Sequence, residues 1–145
     1  MRRARSLVPL SHQHHNGLAF CVLAERALRS DSGDANVRAW ARKAIDRYEI
    51  ELVNHFDIEE RILFPAAPMP LVDTLVAEHR QLESLIGRLR QTPSLPLIME
   101  FTALLRRHIR CEEEQYFESV QKLLDHARLE DLGAQIEEKV IRVCL

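Results

Sequence analysis

The sequence holds four glycines, one tryptophan and three cysteines in 145 residues, and it has no long apolar run. The cysteines (Cys21, Cys111, Cys144) form neither a CxxC pair nor an even disulfide framework, which points to a reducing, cytoplasmic setting. The basic start "MRRARSLVPLSHQHH" lacks the apolar stretch of a signal peptide, and no segment approaches a membrane span. The closing "IRVCL" matches no lipidation signal. A formal net charge of -2 gives no electrostatic case for nucleic acid or for an anionic membrane surface. What remains is the composition of a soluble globular chain, 46% apolar and 29% charged, with seven histidines as its one excess. At this length one domain, residues 1–145, can bury a core of its own.

The pattern reads as helix throughout, punctuated by proline and glycine. A first helix is predicted from about Pro9 or Leu10 to Arg29, with "SDSGDAN" as the turn, and a second from about Ala35 to Phe64, stopped by Pro65. A third runs from Pro70 to about Gln91. After "TPSLP", with Ser94 as cap, a fourth continues to about Leu124. The tail "ARLEDLGAQIEEKVIRV" can form a short fifth helix across one end. Four such helices joined by short loops make an all-α, up-down-up-down antiparallel four-helix bundle with its core at about 10–125.

The chemistry lies in "HFDIEERILFP". On the second helix Ile45, Tyr48, Leu52, His55, Glu59 and Ile62 fall on one stripe, so a histidine and a carboxylate interrupt an apolar face. "HFDIEERILF" (55–64) has a second copy in "HIRCEEEQYF" (108–117), where the stripe Phe101, Leu105, His108, Glu112, Ser119, Leu123 is interrupted in the same way. The third helix repeats the theme with Val72, Val76, His79, Glu83 and Ile86. On the first helix the summed direction of the apolar residues lies close to His14, with His15 as the alternate and His12 on the far side. Gly17, one turn on, lets a neighbouring helix approach.

A single His–Glu pair at i, i+4 is more often a surface ion pair or a satisfied core hydrogen bond. His126 and Glu130 match the spacing too, but they stand roughly 27 Å along the helix from the second motif and read as surface. Taken together the inward pairs are different. Burying three carboxylates and four imidazoles without a counter-charge costs several kcal/mol per ion. Divalent cations would neutralise the carboxylates and use the imidazole lone pairs. Mixed nitrogen and oxygen donors suit iron, manganese or zinc, whereas calcium and magnesium want oxygen almost alone. Seven ligands, His14 (or His15), His55, Glu59, His79, Glu83, His108 and Glu112, are too many for one tetrahedral zinc and suit two six-coordinate metals with an open position.

The motifs "SHQHHNGL", "HFDIEERILFP", "AEHRQLESL" and "HIRCEEEQYF", one per helix and in this order, resemble the hemerythrin-like (HHE cation-binding) domains over about residues 10–125. His four residues before Glu is hemerythrin-like, while ferritin-like bundles carry Glu-x-x-His. The resemblance implies two iron ions in a non-haem di-iron centre. Glu59 and Glu112 would bridge them, His14 and His55 would complete the iron with the open position, and His79 and His108 would hold the other. Where oxygen-carrying members have a second histidine on the third helix, this chain has Glu83. An extra carboxylate favours the ferric state and leans away from simple oxygen carriage, unless Glu83 only hydrogen-bonds His79.

The function implied is a cytoplasmic metal-binding protein that binds or reacts with O2, NO or peroxide, for sensing, redox protection or iron handling. Whether it is an enzyme stays open, as does monomer or homodimer. Members that repair iron–sulfur centres carry a further cysteine-bearing N-terminal segment, and a bundle helix starting by about residue 10 weighs against that role. The alternative is a metal-responsive interaction module in which the metal mainly stabilises the fold. Cys111 reads as an inert core thiol, Tyr48 and Tyr116 as core tyrosines, and Trp40, Phe56, Phe64, Phe101 and Phe117 as packing that excludes water. Glu60, Glu113 and Glu114 read as solvated neighbours of the ligands.

Overall fold

The computed structural model describes residues 2–143; Cys144 and the end of the "IRVCL" tail lie outside the described residues. The chain is all-helical, with no strand among the described residues. After a 3-10 turn at Arg5–Leu7, the first helix is Val8–Ser30. The second runs unbroken over 34–66, the third is Leu71–Gln91, the fourth runs over 95–123, and the fifth is His126–Lys139. Among the described residues the count is therefore five rather than four, the expected tail helix being a full 14 residues long.

Cross-helix pairs give the directions. Arg3 meets Gln121 while Arg106 meets Glu25, so the first and fourth helices run antiparallel. Glu49 meets Arg90 while Glu60 meets Arg80, and the second and third do the same. Gly17 performs its expected role: a Cβ there would lie 3.1 Å from Ile109 Cδ1 of the fourth helix. Ser94 caps the fourth helix, accepting from Leu97 N at 3.3 Å, and Asp125 caps the fifth through Arg128 N. The fifth helix lies against the Arg5–Leu7 turn, where Gly133 comes so close to Ser6 that an added Cβ would sit 2.9 Å from its Oγ.

Three stretches of the long helices are π-helical: Tyr48–Leu52, Glu59–Leu63 and Glu112–Tyr116. Two of them begin at the carboxylate of each "HxxxE" copy, and the carbonyls of Glu59 and Glu112 accept from the amides of Phe64 and Phe117, five residues on. Such wide turns concentrate at functional sites. The two that begin at Glu59 and Glu112 move the buried stripe by one. Leu63 is buried where Ile62 was expected, and Val120 and Leu124 are buried where Ser119 and Leu123 were; Leu123 is 55% exposed. Pro65 does not stop the second helix, which continues past it to Ala66.

The core is in two parts. One apolar cluster includes Phe20, Leu52, Leu82, Ile86, Phe101 and Leu105. The other includes Leu10, Ile58, Leu63, Tyr116, Phe117 and Val120. Along every long helix the inward histidines and carboxylates occupy the level between them.

Candidate metal centre

Six of the expected residues converge at that level. His14, His55, Glu59 and Glu112 form one group and Glu59, His79, His108 and Glu112 a second, each with donor atoms within 4.8 Å of one another. All six are buried, with Glu59, His79 and Glu112 fully so. Glu59 Oε1 lies 3.2 Å from the Nε2 atoms of both His55 and His79. Glu112 Oε1 lies 3.1 Å from His14 Nε2 and 3.0 Å from His108 Nε2. On the first helix His14 is the inward residue, and His12 and His15 are exposed.

Glu83 is not brought to the groups. It is half-buried and pairs with Arg80 at 3.0 Å. The inward face of the third helix passes through Leu75, His79, Leu82 and Ile86, so Leu82 takes the place that the sequence pattern gave to Glu83. Glu83 does not hydrogen-bond His79 either. His126 and Glu130 pair at 3.0 Å in the open, on the fifth helix.

The charges at the centre are held unevenly. Burial, and then the charge of Glu112, push Glu59 well above the usual carboxylate range. Burial alone would raise Glu112 as well, but His108 and His14 outweigh it and hold it well below. Burial lowers His55 to about 4 and His79 to about 2. His108 is held up at about 9 because Glu112 and Glu78 overcome its burial. In the absence of a cation the layer thus mixes charged and neutral forms of the same two side chains.

Each histidine is gripped at its other nitrogen by an oxygen from the preceding helix. His55 Nδ1 meets Gln13 Oε1 at 2.8 Å, and His79 Nδ1 meets Glu60 Oε2 at 2.7 Å. His108 Nδ1 meets Glu78 Oε1 at 2.9 Å, and His14 Nδ1 meets Glu113 Oε2 at 3.0 Å. The first helix thus holds the second, the second the third, the third the fourth, and the fourth returns to the first. Oxygen acceptors fix Nδ1 as the protonated nitrogen of each neutral ring, so the lone pair is on Nε2 and faces the carboxylates. Glu60 and Glu113, expected to be solvated, are therefore partners of the inner histidines; Glu114 is exposed as expected. Gln13 and Glu78 were not anticipated. The signal was adjacency: all four partners stand next in sequence to a residue of the inner set.

The donor atoms fit a bound cation. His55 Nε2, His79 Nε2, His108 Nε2, both oxygens of Glu59 and Glu112 Oε2 are buried without a hydrogen-bond partner. Orphaned groups of this kind are costly in a packed interior, and these six atoms share one locus. A model of the hemerythrin HHE cation-binding domain matches residues 6–120. The chain belongs to that family. No curated protein and no solved structure gives a match to set beside it.

In this hemerythrin domain aromatic rings seal the centre. Phe56 stacks on His79 with centroids 3.9 Å apart, Phe64 closes the same ring from 5.8 Å, and Phe117 stacks on His14 at 5.2 Å. Tyr116 is fully buried and donates its hydroxyl to Ala67 O at 3.0 Å, which leaves that proton directed away from the carboxylates. Cys111 is only partly buried, on the rim of a groove with Arg106, Arg107 and Arg110. No helix among the described residues is long and apolar enough to cross a membrane.

Proposed function

We propose that the chain is a non-haem di-iron protein whose centre meets a small ligand such as O2, NO or peroxide, in the service of sensing, redox protection or iron handling. The observation that carries this reading is the pairing of two four-residue donor groups that share Glu59 and Glu112. His14 and His55 would serve one ion, His79 and His108 the other, and the two carboxylates both. Two imidazoles and two shared carboxylates per ion supply fewer donors than iron accepts, which leaves room for a small molecule. Bound iron would contribute the change of oxidation state and the affinity for such a molecule. The protein's share is to fix the four rings through their Nδ1 atoms, to supply two negative charges, and to keep bulk water out with Phe56, Phe64 and Phe117.

With Glu83 outside the groups, the centre carries two carboxylates rather than three, and the argument from an added charge toward the ferric state falls away. A metal-responsive interaction module is the second reading. It is favoured by the position of the polar layer between two apolar clusters, where loss of the cation would leave both clusters resting on unpaired charge. Zinc and manganese suit the same donors.

The test is elemental analysis of protein purified without added metal, with absorption spectra before and after exposure to air. Two irons per chain, with near-ultraviolet bands that appear on oxidation, are expected. A single zinc, or no uptake of iron on reconstitution, would refute the di-iron reading.

A further inference from the structure

The four grips on the histidines are not equal. Glu60, Glu78 and Glu113 are carboxylates, whereas His55 is held by the neutral amide of Gln13. A carboxylate partner both orients an imidazole and makes it a stronger donor; an amide oxygen orients it and adds little charge. His55 is therefore the ring whose placement depends most on what holds its partner still.

What holds Gln13 is the segment that follows the fifth helix. Gln13 Nε2 donates to Ile141 O at 3.0 Å and to Asn54 Oδ1 at 3.1 Å. Asn54 in turn clamps that segment from both sides, donating to Lys139 O at 2.8 Å and accepting from Ile141 N at 2.9 Å. One turn along the first helix, Asn16 repeats the arrangement, donating to Val143 O at 3.2 Å and to the buried Glu51 at 2.8 Å. Residues 139–143 thus lie as a strap over the seam between the first and second helices. The strap fixes the rotamer of Gln13, because only the amide nitrogen can serve Ile141 O and only the amide oxygen can then serve His55.

We propose that this strap, through Gln13 as a positioning residue for His55, sets the hold of the protein on one of the two metal positions, the one served by His14 and His55. Releasing the strap loosens that ion and leaves the ion served by His79 and His108 in place. The inference rests on the metal-centre reading above.

The experiment loads the full chain with Fe(II) under anaerobic conditions and follows its release to a coloured chelator. Asn54→Ala removes the clamp without touching His55, and Gln13→Leu removes the link itself. Both are expected to speed the release of one ion by about tenfold or more, the range that loss of an outer partner produces, while the second ion leaves at its original rate. Gln13→Glu keeps an oxygen acceptor for His55 but loses the donor to the strap, so one ion should still leave quickly; slow release in this variant would show that the strap plays no part and would overturn the proposal. Two ions leaving at unchanged rates in both Asn54→Ala and Gln13→Leu would overturn the proposal, as would both ions speeding up together. An unaltered chain that takes up no Fe(II) would instead overturn the metal-centre reading and this one with it.

Discussion

The shortest contacts of Glu59 and Glu112 cross between the four histidines: Glu59 lies 3.2 Å from His55 and His79, and Glu112 lies 3.1 Å from His14 and 3.0 Å from His108, with His55 farther off at 3.8 Å. Each carboxylate therefore contacts one ring of each metal group, and neither group is complete without both. Replacing either by Gln should abolish binding of both ions, whereas His55→Ala should cost one. Elemental analysis of purified variants reads this directly, with His126→Ala as the control that keeps full occupancy. Loss of a single ion in Glu59→Gln would mean that the carboxylates are not shared.

The metal-free protein should show an inverted stability profile around neutral pH. His108 is held up at about 9, so its contribution is complete below the ordinary histidine value of 6.5 and is lost as pH rises through 9. Glu59 is raised as well: above the ordinary carboxylate value of 4.5 the unfolded form ionises while the buried carboxyl keeps its proton, so stability falls further as pH rises. His55, lowered to about 4, acts in the opposite sense: its unfolded form takes up a proton below 6.5, and stability falls as pH drops from there. Thermal melts should therefore peak near pH 6.5 in a chelator-treated sample. Iron-loaded protein should lose the alkaline decline, since a cation then occupies the nitrogens in place of protons.

Three glutamates that look alike in sequence are separated by what their side chains touch. Glu60→Gln and Glu78→Gln should weaken iron binding by about 10- to 100-fold, because each removes the charge behind a ligating ring. Glu83→Gln should leave it unchanged, since Glu83 pairs with Arg80 and belongs to neither donor group among the described residues. Competition with a metal-sensitive dye measures all three. Equal losses at Glu83 and Glu60 would return Glu83 to the centre.

The wide turn after Glu112 is open to a stability measurement. Leu124→Ala should cost about 2–5 kcal/mol, the usual toll of emptying a buried leucine. Leu123→Ala should stay within about 0.5 kcal/mol, as at other exposed positions. Denaturant titration of the metal-free forms distinguishes them, and a continuous α-helix through residue 116 would reverse the order.

Most of the fold was legible because proline, glycine and capping residues bracket long amphipathic runs, and the five helices begin and end close to where those signals stand. Four of the ligand candidates came from the repeated His-x-x-x-Glu frame, where polar groups break an apolar stripe, and His14 and His79 came from their faces. Three kinds of feature stayed hidden. A π-turn has no signature in periodicity until it has been crossed, so Ile62, Ser119 and Leu123 were assigned to the core by an α-helical count that was one residue short. Glu83 sits at the edge of the stripe, where spacing alone cannot tell it from Leu82. Gln13, Glu60, Glu78 and Glu113 look like surface residues on their own helices, and only the neighbouring helix gives them a role.

The ring of grips also bears on how the protein is made. His14 is synthesised well before its partner Glu113 and its shared carboxylate Glu112, which come 99 and 98 residues later. Neither metal group can be assembled on a nascent chain that ends before the fourth helix. Ile141, whose carbonyl accepts from the Gln13 amide beside His55, follows later still. A cation that met a shorter nascent chain would find imidazoles without the Glu112 carboxylate that both groups share, so metal loading is expected to follow synthesis of the fourth helix.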